Sequence, residues 1–236
     1  MSTLVSIIVT TLNEEYYIED CLKSLKNQAY ANKEIIVVDS NSKDKTVDIA
    51  KKYADKVIVR DCLTPVGRNL GAREASGDVL LFVDADVVLL LNWINVIMPH
   101  LQEKNVIAAY GDLLPKERKL KSWLAYGKEE LSNFILRIAQ IPCFGKLGTA
   151  VAIKKDIFEK AGGFNEKYAC CEDVDMSLRL REYGKIKFVR KAKGYVSMRR
   201  FEKTGYLKLS LLWFFTASYY MLTRKALFPG YSRSYP

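Results

Sequence analysis

Asp84-Ala85-Asp86 sets two carboxylates two residues apart at the end of an apolar run, Val79-Leu80-Leu81-Phe82-Val83. In an extended segment, side chains two apart point to the same side, so both carboxylates can face one ion or its water shell. Oxygen donors of this kind suit hard divalent cations such as Mg2+ or Mn2+, which bridge readily to substrate phosphates. A cation held there stabilises negative charge that develops on a departing phosphate group. Alone, such a triplet reads equally well as a loop or a helix cap. Its weight comes from position, because two other polar clusters also follow apolar runs. They are Thr10-Thr11-Leu12-Asn13-Glu14 and Asp39-Ser40-Asn41-Ser42.

The elements that must position these clusters alternate along the first half. Residues 4–10, 34–38, 57–60 and 79–83 read as short β-branched strands, and 16–27, 44–53 and 66–75 as helices, with Ile18, Cys21, Leu22 and Leu25 at helical spacing. Continuous apolar strands separated by helices predict strands covered on both faces, hence a parallel α/β sheet. Ligands of such sheets bind beyond the carboxyl ends of the strands, where all three polar clusters fall. Farther on, the pattern predicts a helix over 92–104, a strand over 106–110 and a long amphipathic helix over 120–139. It then predicts a strand ending near Ile153, a short helix over 157–161 stopped by Gly162-Gly163, a helix over 173–183 and a strand over 186–189. No internal repeat, low-complexity tract or linker interrupts the chain.

With 236 residues, 49% of them hydrophobic and 27% charged, the chain has the composition of a globular protein with one well-buried core. Its five cysteines have no ligand-like C-x-x-C spacing, which argues against a disulfide framework or zinc site and for a reducing cytosol. No basic segment precedes the first apolar residues, so the N-terminus reads as a strand and not a signal peptide. The net charge of +10 is uneven. From Cys170 onward there are 14 Lys and Arg against 5 Asp and Glu, whereas the preceding residues hold 23 against 22. A basic final third suggests anionic lipid, a phosphate-bearing substrate or nucleic acid as partner, or a solvated basic face.

The ordered motifs resemble family 2 glycosyltransferases of GT-A fold. The donor half of that family is matched by Ser6-Ile7-Ile8-Val9-Thr10-Thr11-Leu12-Asn13-Glu14-Glu15 and by Glu34-Ile35-Ile36-Val37-Val38-Asp39-Ser40. It continues in Gly67-Arg68-Asn69-Leu70-Gly71-Ala72 and Gly77-Asp78 leading into Asp84-Ala85-Asp86. Gly162-Gly163-Phe164-Asn165-Glu166 and Cys171-Glu172-Asp173-Val174-Asp175, with Arg179, resemble the acceptor half. The resemblance runs from about residue 6 to residue 181. It implies an α/β GT-A fold, a mainly parallel central sheet flanked by helices, with a catalytic domain over 1–200 (donor-nucleotide half 1–90, acceptor half 91–200). A basic and hydrophobic helical extension would cover 201–236.

The resemblance also implies roles. Thr10, Asn13 and Glu14 would line the nucleotide pocket, Asp39 would accept a hydrogen bond from the base, and Arg68 would approach the diphosphate with a guanidinium suited to phosphate oxygens. Asp84 would stand near the ribose or the metal's water shell, and Asp86 would ligate Mn2+ or Mg2+ most directly. Gly148 and Thr149 would line the acceptor side. Asp173 is the candidate general base for an inverting single displacement, with Glu172 beside it. Crowding of Glu172, Asp173 and Asp175 can lift one carboxylate's pKa into a useful range. Asp173 could instead cap its helix.

Two departures from the family pattern stand out. Many GT-A enzymes add a late His to the metal, but the single His of this chain, His100, lies in an apolar-striped helix and reads as structural. The matching late region is Tyr195-Val196-Ser197-Met198-Arg199-Arg200-Phe201. Either the Asp pair and the diphosphate hold the metal weakly, or Arg199 and Arg200 supply charge to the phosphates. The Gln-x-x-Arg-Trp signature of processive polymerases is also absent, which argues for one transfer per encounter.

Residues 206–227 combine apolar and aromatic residues with flanking Arg199, Arg200, Lys203, Lys208, Arg224 and Lys225. The uncharged part, 209–223, is short of the roughly 20 residues a spanning helix needs. The segment suits either a helix lying in a membrane interface, giving a peripheral contact through 199–228, or a helix packed on the core. The expected activity is therefore sugar transfer from a UDP- or GDP-sugar to a glycan or lipid-linked acceptor, in the cytoplasm or at the inner face of the cell membrane. Two alternatives share much of the pattern: a polyprenyl-phosphate glycosyltransferase similar to dolichyl-phosphate sugar synthases, and a nucleotidyltransferase. The latter lacks support from a Gly-rich, basic phosphate loop after the first strand. The ordered carboxylates speak against a nucleic-acid binding module.

Overall fold

The computed structural model describes residues 2–117, 119, 121–124, 127, 149–168 and 170–225. The first half follows the expected alternation: β1 (Val5–Thr11), α1 (Ile18–Lys26), β2 (Lys33–Asp39), α2 (Thr46–Tyr53), β3 (Lys56–Val59), α3 (Thr64–Arg73) and β4 (Val79–Asp84). Then come β5 (Val87–Leu89), α4 (Trp93–Leu101), β6 (Val106–Pro115), β7 (Ala150–Lys154), α5 (Lys155–Lys160), α6 (Glu172–Leu180), β8 (Lys185–Val196), α7 (Arg199–Thr204) and α8 (Tyr206–Thr223). The long helix expected over 120–139 falls mostly outside the described residues, as do Gly148 and Cys143.

Among the described residues the strands form one eight-stranded sheet in the order β3-β2-β1-β4-β7-β6-β8-β5. Strands β1 to β4 are mutually parallel where they pair. The second half departs from the parallel pattern: β7 runs antiparallel to both β4 and β6, and β5 runs antiparallel to β8. The apolar runs are continuous because both faces are covered. Ile7, Val9, Ile35, Val37, Leu81 and Val83 meet α1 and α4 through Ile18, Leu22, Leu25, Trp93 and Ile97. The alternate residues Ile8, Ile36, Val38, Leu80 and Phe82 meet α3, α5 and α6 through Ala72, Phe158, Met176 and Leu180. Gly71 allows the closest of these approaches, since a Cβ there would stand 2.5 Å from Cγ2 of Ile8.

Register brings the chemistry to one edge. Thr10 lies opposite Asp84, and Thr11 opposite Asp39, so three strands end level at their carboxyl ends. Strand β8 is much longer than the expected 186–189 and runs beside β6 to Val196, with an irregularity opposite Gly111 and Asp112. Its end pairs with β5, Val196 opposite Val87, which delivers the following residues to the same edge.

Candidate active site

The loops after β1 and β2 are laced together. The Asn13 backbone N–H donates to Ser42 Oγ (2.8 Å), and Asn13 Oδ1 accepts from the Lys43 backbone N–H (2.8 Å). The Glu14 N–H donates to Thr46 Oγ1 at 2.7 Å. Asn13 holds a left-handed φ of 53°, a conformation Asn tolerates better than most residues. Asp39 is fully buried and accepts from the Ser42 N–H (2.7 Å) and hydroxyl (2.5 Å). That arrangement organises the loop after β2, and Asp39 caps no helix.

Arg68, on the buried face of α3, reaches this edge as a nearly fully buried guanidinium. Its Nη2 donates to Asp84 Oδ1 at 2.9 Å and its Nη1 to Glu172 Oε1 at 3.1 Å, while its Cζ stands 5.2 Å from the Phe164 ring centroid. Burial works against the charge of Arg68, but Asp84 and Glu172 more than restore it. The next residue, Asn69, clasps the turn after α5. Its Nδ2 donates to the Phe164 carbonyl (2.8 Å) and its Oδ1 accepts the Phe164 N–H (2.8 Å). Two consecutive residues of one helix thus join the halves that the sequence separates by about a hundred positions. Sequence reading set Arg68 near a diphosphate; its carboxylate partners and the role of Asn69 are visible only in three dimensions.

Glu172 and Asp173 open α6 after Cys171, whose φ of 64° is costly for a residue other than Gly, Asn or Asp. Asp173 is not a cap; it lies in the first turn and its Oδ1 accepts from the Val174 N–H at 2.8 Å. Burial pushes the Glu172 carboxyl up to about 7, with the charge of Asp173 adding to the effect and Arg68 opposing it. Burial also raises Asp173, against the pull of Arg68. Asp175, expected to crowd this pair, instead turns inward. It holds Arg179 and accepts the Tyr220 hydroxyl at 2.5 Å.

Across the edge, the Asp84 N–H donates to the Thr149 carbonyl (3.0 Å), so Thr149 stands beside the carboxylate pair, while Gly148 lies outside the described residues. The Asp86 carbonyl accepts the Ser197 N–H at 3.3 Å. Two residues on, Arg199 pairs through Nη2 with Glu14 Oε1 and through Nε with Asp86 Oδ2 (3.4 Å), its Cζ 4.3 Å from the Tyr17 ring centroid. Burial pushes Asp86 up to about 6, helped by Asp84 and opposed by Arg199 and Arg200. Every member of this cluster is visible in the sequence, yet the contact depends on the β5–β8 pairing, which no local pattern announces. His100 is bonded to Glu103 through Nδ1 at 2.6 Å, in keeping with a structural role.

Whether these residues suit a divalent cation can be judged from their charge. Asp84 and Glu172 share the buried Arg68 guanidinium and Glu14 and Asp86 share that of Arg199, so each cation is divided between two carboxyl groups and a diphosphate would meet carboxylates at this edge. Asp84 Oδ2 and Asp86 Oδ1 accept no hydrogen bond from the described residues, and Glu14 Oε2 is buried without a partner. Among the described residues no ready cluster of three or more His, Cys, Asp or Glu surrounds a metal position. Two hard oxygen donors with the remainder of the shell from substrate and water therefore fit Mg2+ or Mn2+ better than a closed cage does.

A family model described as "Glycosyl transferase family 2" matches residues 6–162. "Probable glycosyltransferase YdaM" of Bacillus subtilis is 31% identical over 212 residues, covering 76% of this chain and 47% of the relative. The chain spans about half to three-fifths of the length of the curated relatives it matches. The mannosyltransferase PcManGT from Pyrobaculum calidifontis, solved in complex with GDP-Man and Mn2+, superposes with a TM-score of 0.70 at 19% identity, over 97% of this chain and 67% of that one. TarS 1-349 of S. aureus, solved in complex with UDP, gives 0.65 at 20% identity, over 82% and 60% respectively. At such identities the likeness shows the GT-A fold.

Proposed function

The chain belongs to glycosyl transferase family 2, and from that premise we propose an inverting sugar transfer from a UDP- or GDP-sugar to a hydroxyl of a glycan or lipid-linked acceptor. The observation that carries the reading is the Arg68 bridge, which holds Asp84 of the donor side and Glu172 of the acceptor side on one buried guanidinium. A bond between donor and acceptor must form where those two sides meet. Thr10, Asn13, Glu14 and Asp39 line the nucleotide end of the edge, and Thr149 the acceptor end. PcManGT with GDP-Man and TarS with UDP support this class of donor.

Asp173 is the general base of this reading. Burial raises both carboxyls of the pair, and Glu172 is engaged by Arg68, which leaves Asp173 as the member that accepts the hydroxyl proton as the oxygen attacks the anomeric carbon. Arg68 fixes the relative placement of Glu172 and Asp84, and Asp173 follows Glu172 directly in the first turn of α6. Asp86 and Asp84 would hold Mn2+ or Mg2+, which when bound supplies positive charge to the leaving nucleoside diphosphate.

The outer face of α8 supports a lipid-linked acceptor. Leu207, Leu211, Phe214, Phe215 and Leu222 are exposed in a stripe flanked by Lys203, Lys208, Arg224 and Lys225, which suits a helix lying on an anionic membrane. If that acceptor were already a phosphate, as in polyprenyl-phosphate glycosyltransferases, little base assistance would be needed. A thermal-shift screen of nucleoside diphosphates with and without Mn2+ tests the central claim. UDP or GDP should raise the melting temperature, with most of the rise requiring metal, and indifference to every diphosphate removes the reading.

A further inference from the structure

At the Asp86 end of this edge the cation in place is Arg199. Its guanidinium stands between Glu14 at the end of the β1 loop and Asp86 of the carboxylate pair, partly covered by the Tyr17 ring. The placement is built. Strand pairing carries the chain to Val196, the Asp86 carbonyl receives the Ser197 N–H, and the Glu117 carboxylate accepts the Ser197 hydroxyl (3.1 Å) and the Met198 N–H (2.8 Å). Three anchors within three residues fix where Arg199 starts. Its side chain is 28% exposed, whereas those of Glu14 and Asp86 are 13% and 10% exposed, so the guanidinium faces the open side and its partners lie beneath it.

We propose that Arg199 is a tethered counter-cation of the donor site, which competes with the divalent metal for Asp86 and yields that carboxylate only when a nucleoside diphosphate arrives to receive the guanidinium. The inference rests on the donor reading given above. A metal approaching the nucleotide-free protein must displace a charge held in place by the fold, and it gains only two carboxylates in return. With a diphosphate present, the displaced guanidinium finds phosphate oxygens, to which its planar fork is matched. Metal and nucleotide should therefore bind as a strongly coupled pair, each weak without the other, because linkage is reciprocal. The buried unpartnered Glu14 Oε2 agrees with this: the fork satisfies one oxygen of Glu14 and leaves the other for an incoming donor group.

Mn2+ alone is the first probe, with free ion followed by its paramagnetic resonance signal. Wild-type protein should bind it weakly, and Arg199→Gln should bind it at least about tenfold more tightly, a difference equivalent to one tenfold step in an equilibrium constant. Adding UDP or GDP should tighten Mn2+ binding far more in wild type than in R199Q. Equal or weaker Mn2+ binding by folded R199Q overturns the proposal. Should R199Q prove unfolded by circular dichroism, Arg199→Lys serves in its place. It keeps the charge but loses the fork, so it must bind Mn2+ about as weakly as wild type, and Arg199→Met, which removes the charge from an unbranched side chain, must bind it more tightly for the proposal to stand. Because Mn2+ binding to nucleotide-free protein requires no donor, the two failures are distinguishable: unchanged Mn2+ binding in R199Q overturns this proposal alone, whereas a chain that responds to no nucleotide overturns the donor reading and the release of Asp86 with it.

Discussion

At the scale of single residues, Glu172 and Asp173 separate two kinds of effect. Asp173→Asn changes one atom and leaves the turn intact, because the backbone of Val174 can still donate to the remaining oxygen. For a hydroxyl acceptor, turnover should fall by about 100-fold to 10,000-fold, while protection by nucleotide and metal persists. Near-normal turnover would remove Asp173 as base and favour a phosphate acceptor. Glu172 has a signature in stability. Its pKa is raised from an ordinary 4.5 to about 7 in the folded chain, so the unfolded chain releases this proton first as pH rises. The contribution of Glu172 is thus fully present below about pH 4.5 and is lost as pH rises through 7. Glu172→Gln, which cannot ionise, should gain stability relative to wild type across that interval, on the order of 1–3 kcal/mol, and level off above it. Urea unfolding of both proteins from pH 5 to 8 measures the difference; a difference independent of pH would contradict this account.

At the scale of elements, the parts visible in the sequence are those governed by local rules. Strands β1, β2 and β4 announce themselves because burial on both faces makes them uniformly apolar, and Asp39 and Asp84 are legible as the first charges after such runs. Strands over 106–110, up to Ile153 and over 186–189 are legible as well, but β5 and the continuation of β8 past Val189 escaped for a physical reason. The half of β8 beyond Val189 is basic and exposed, since Arg190, Lys191 and Lys193 project outward while Ala192 and Gly194 supply the buried side, so the apolar run that marks the strand stops at Val189. Strand β5 is three residues long and directly follows the carboxylate pair, too short to show any period. Both errors bear on the site, because their pairing sets Arg199 against Asp86. The antiparallel entry of β7 was equally illegible: nothing in Ala150-Val151-Ala152-Ile153 states which neighbour it will choose, or in which direction. Side chains that act through distant partners were the hardest to read. Asn69 looks like any polar residue within a glycine-flanked helix until Phe164 is brought against it.

At the scale of the whole molecule, α8 joins the catalytic edge to whatever lies outside it. Its inner face is narrow. Ala217 and Tyr220 pack on Val174 of α6, the Tyr220 hydroxyl donates to Asp175, and the Tyr168 ring meets Tyr220 edge-on at 5.6 Å. The helix is thus fixed to the element that opens with Glu172 and Asp173. Its outer face has no such partner among the described residues: Leu222 is 86% exposed, and Phe214 and Phe215 about 60% each. Among the described residues no helix is long and apolar enough to cross a membrane, so a bilayer would meet α8 lengthwise. Apolar side chains would then enter the headgroup boundary, and each flanking Lys or Arg would add about 1 kcal/mol against an anionic leaflet. Docked in this way, α8 holds α6 close to the bilayer, where a lipid-linked hydroxyl could reach Asp173. Co-sedimentation should therefore show retention on vesicles rich in phosphatidylglycerol, weaker retention on phosphatidylcholine, and partial release by salt, since the apolar part of the contact is not screened. Phe214→Ser with Leu222→Ser removes two exposed side chains that support no core, so the melting temperature should hold while partitioning falls by roughly tenfold or more. Loss of folding in this variant would show that the stripe packs on protein. Retention unchanged by it would place the lipid contact elsewhere, and α8 would then serve only to brace α6.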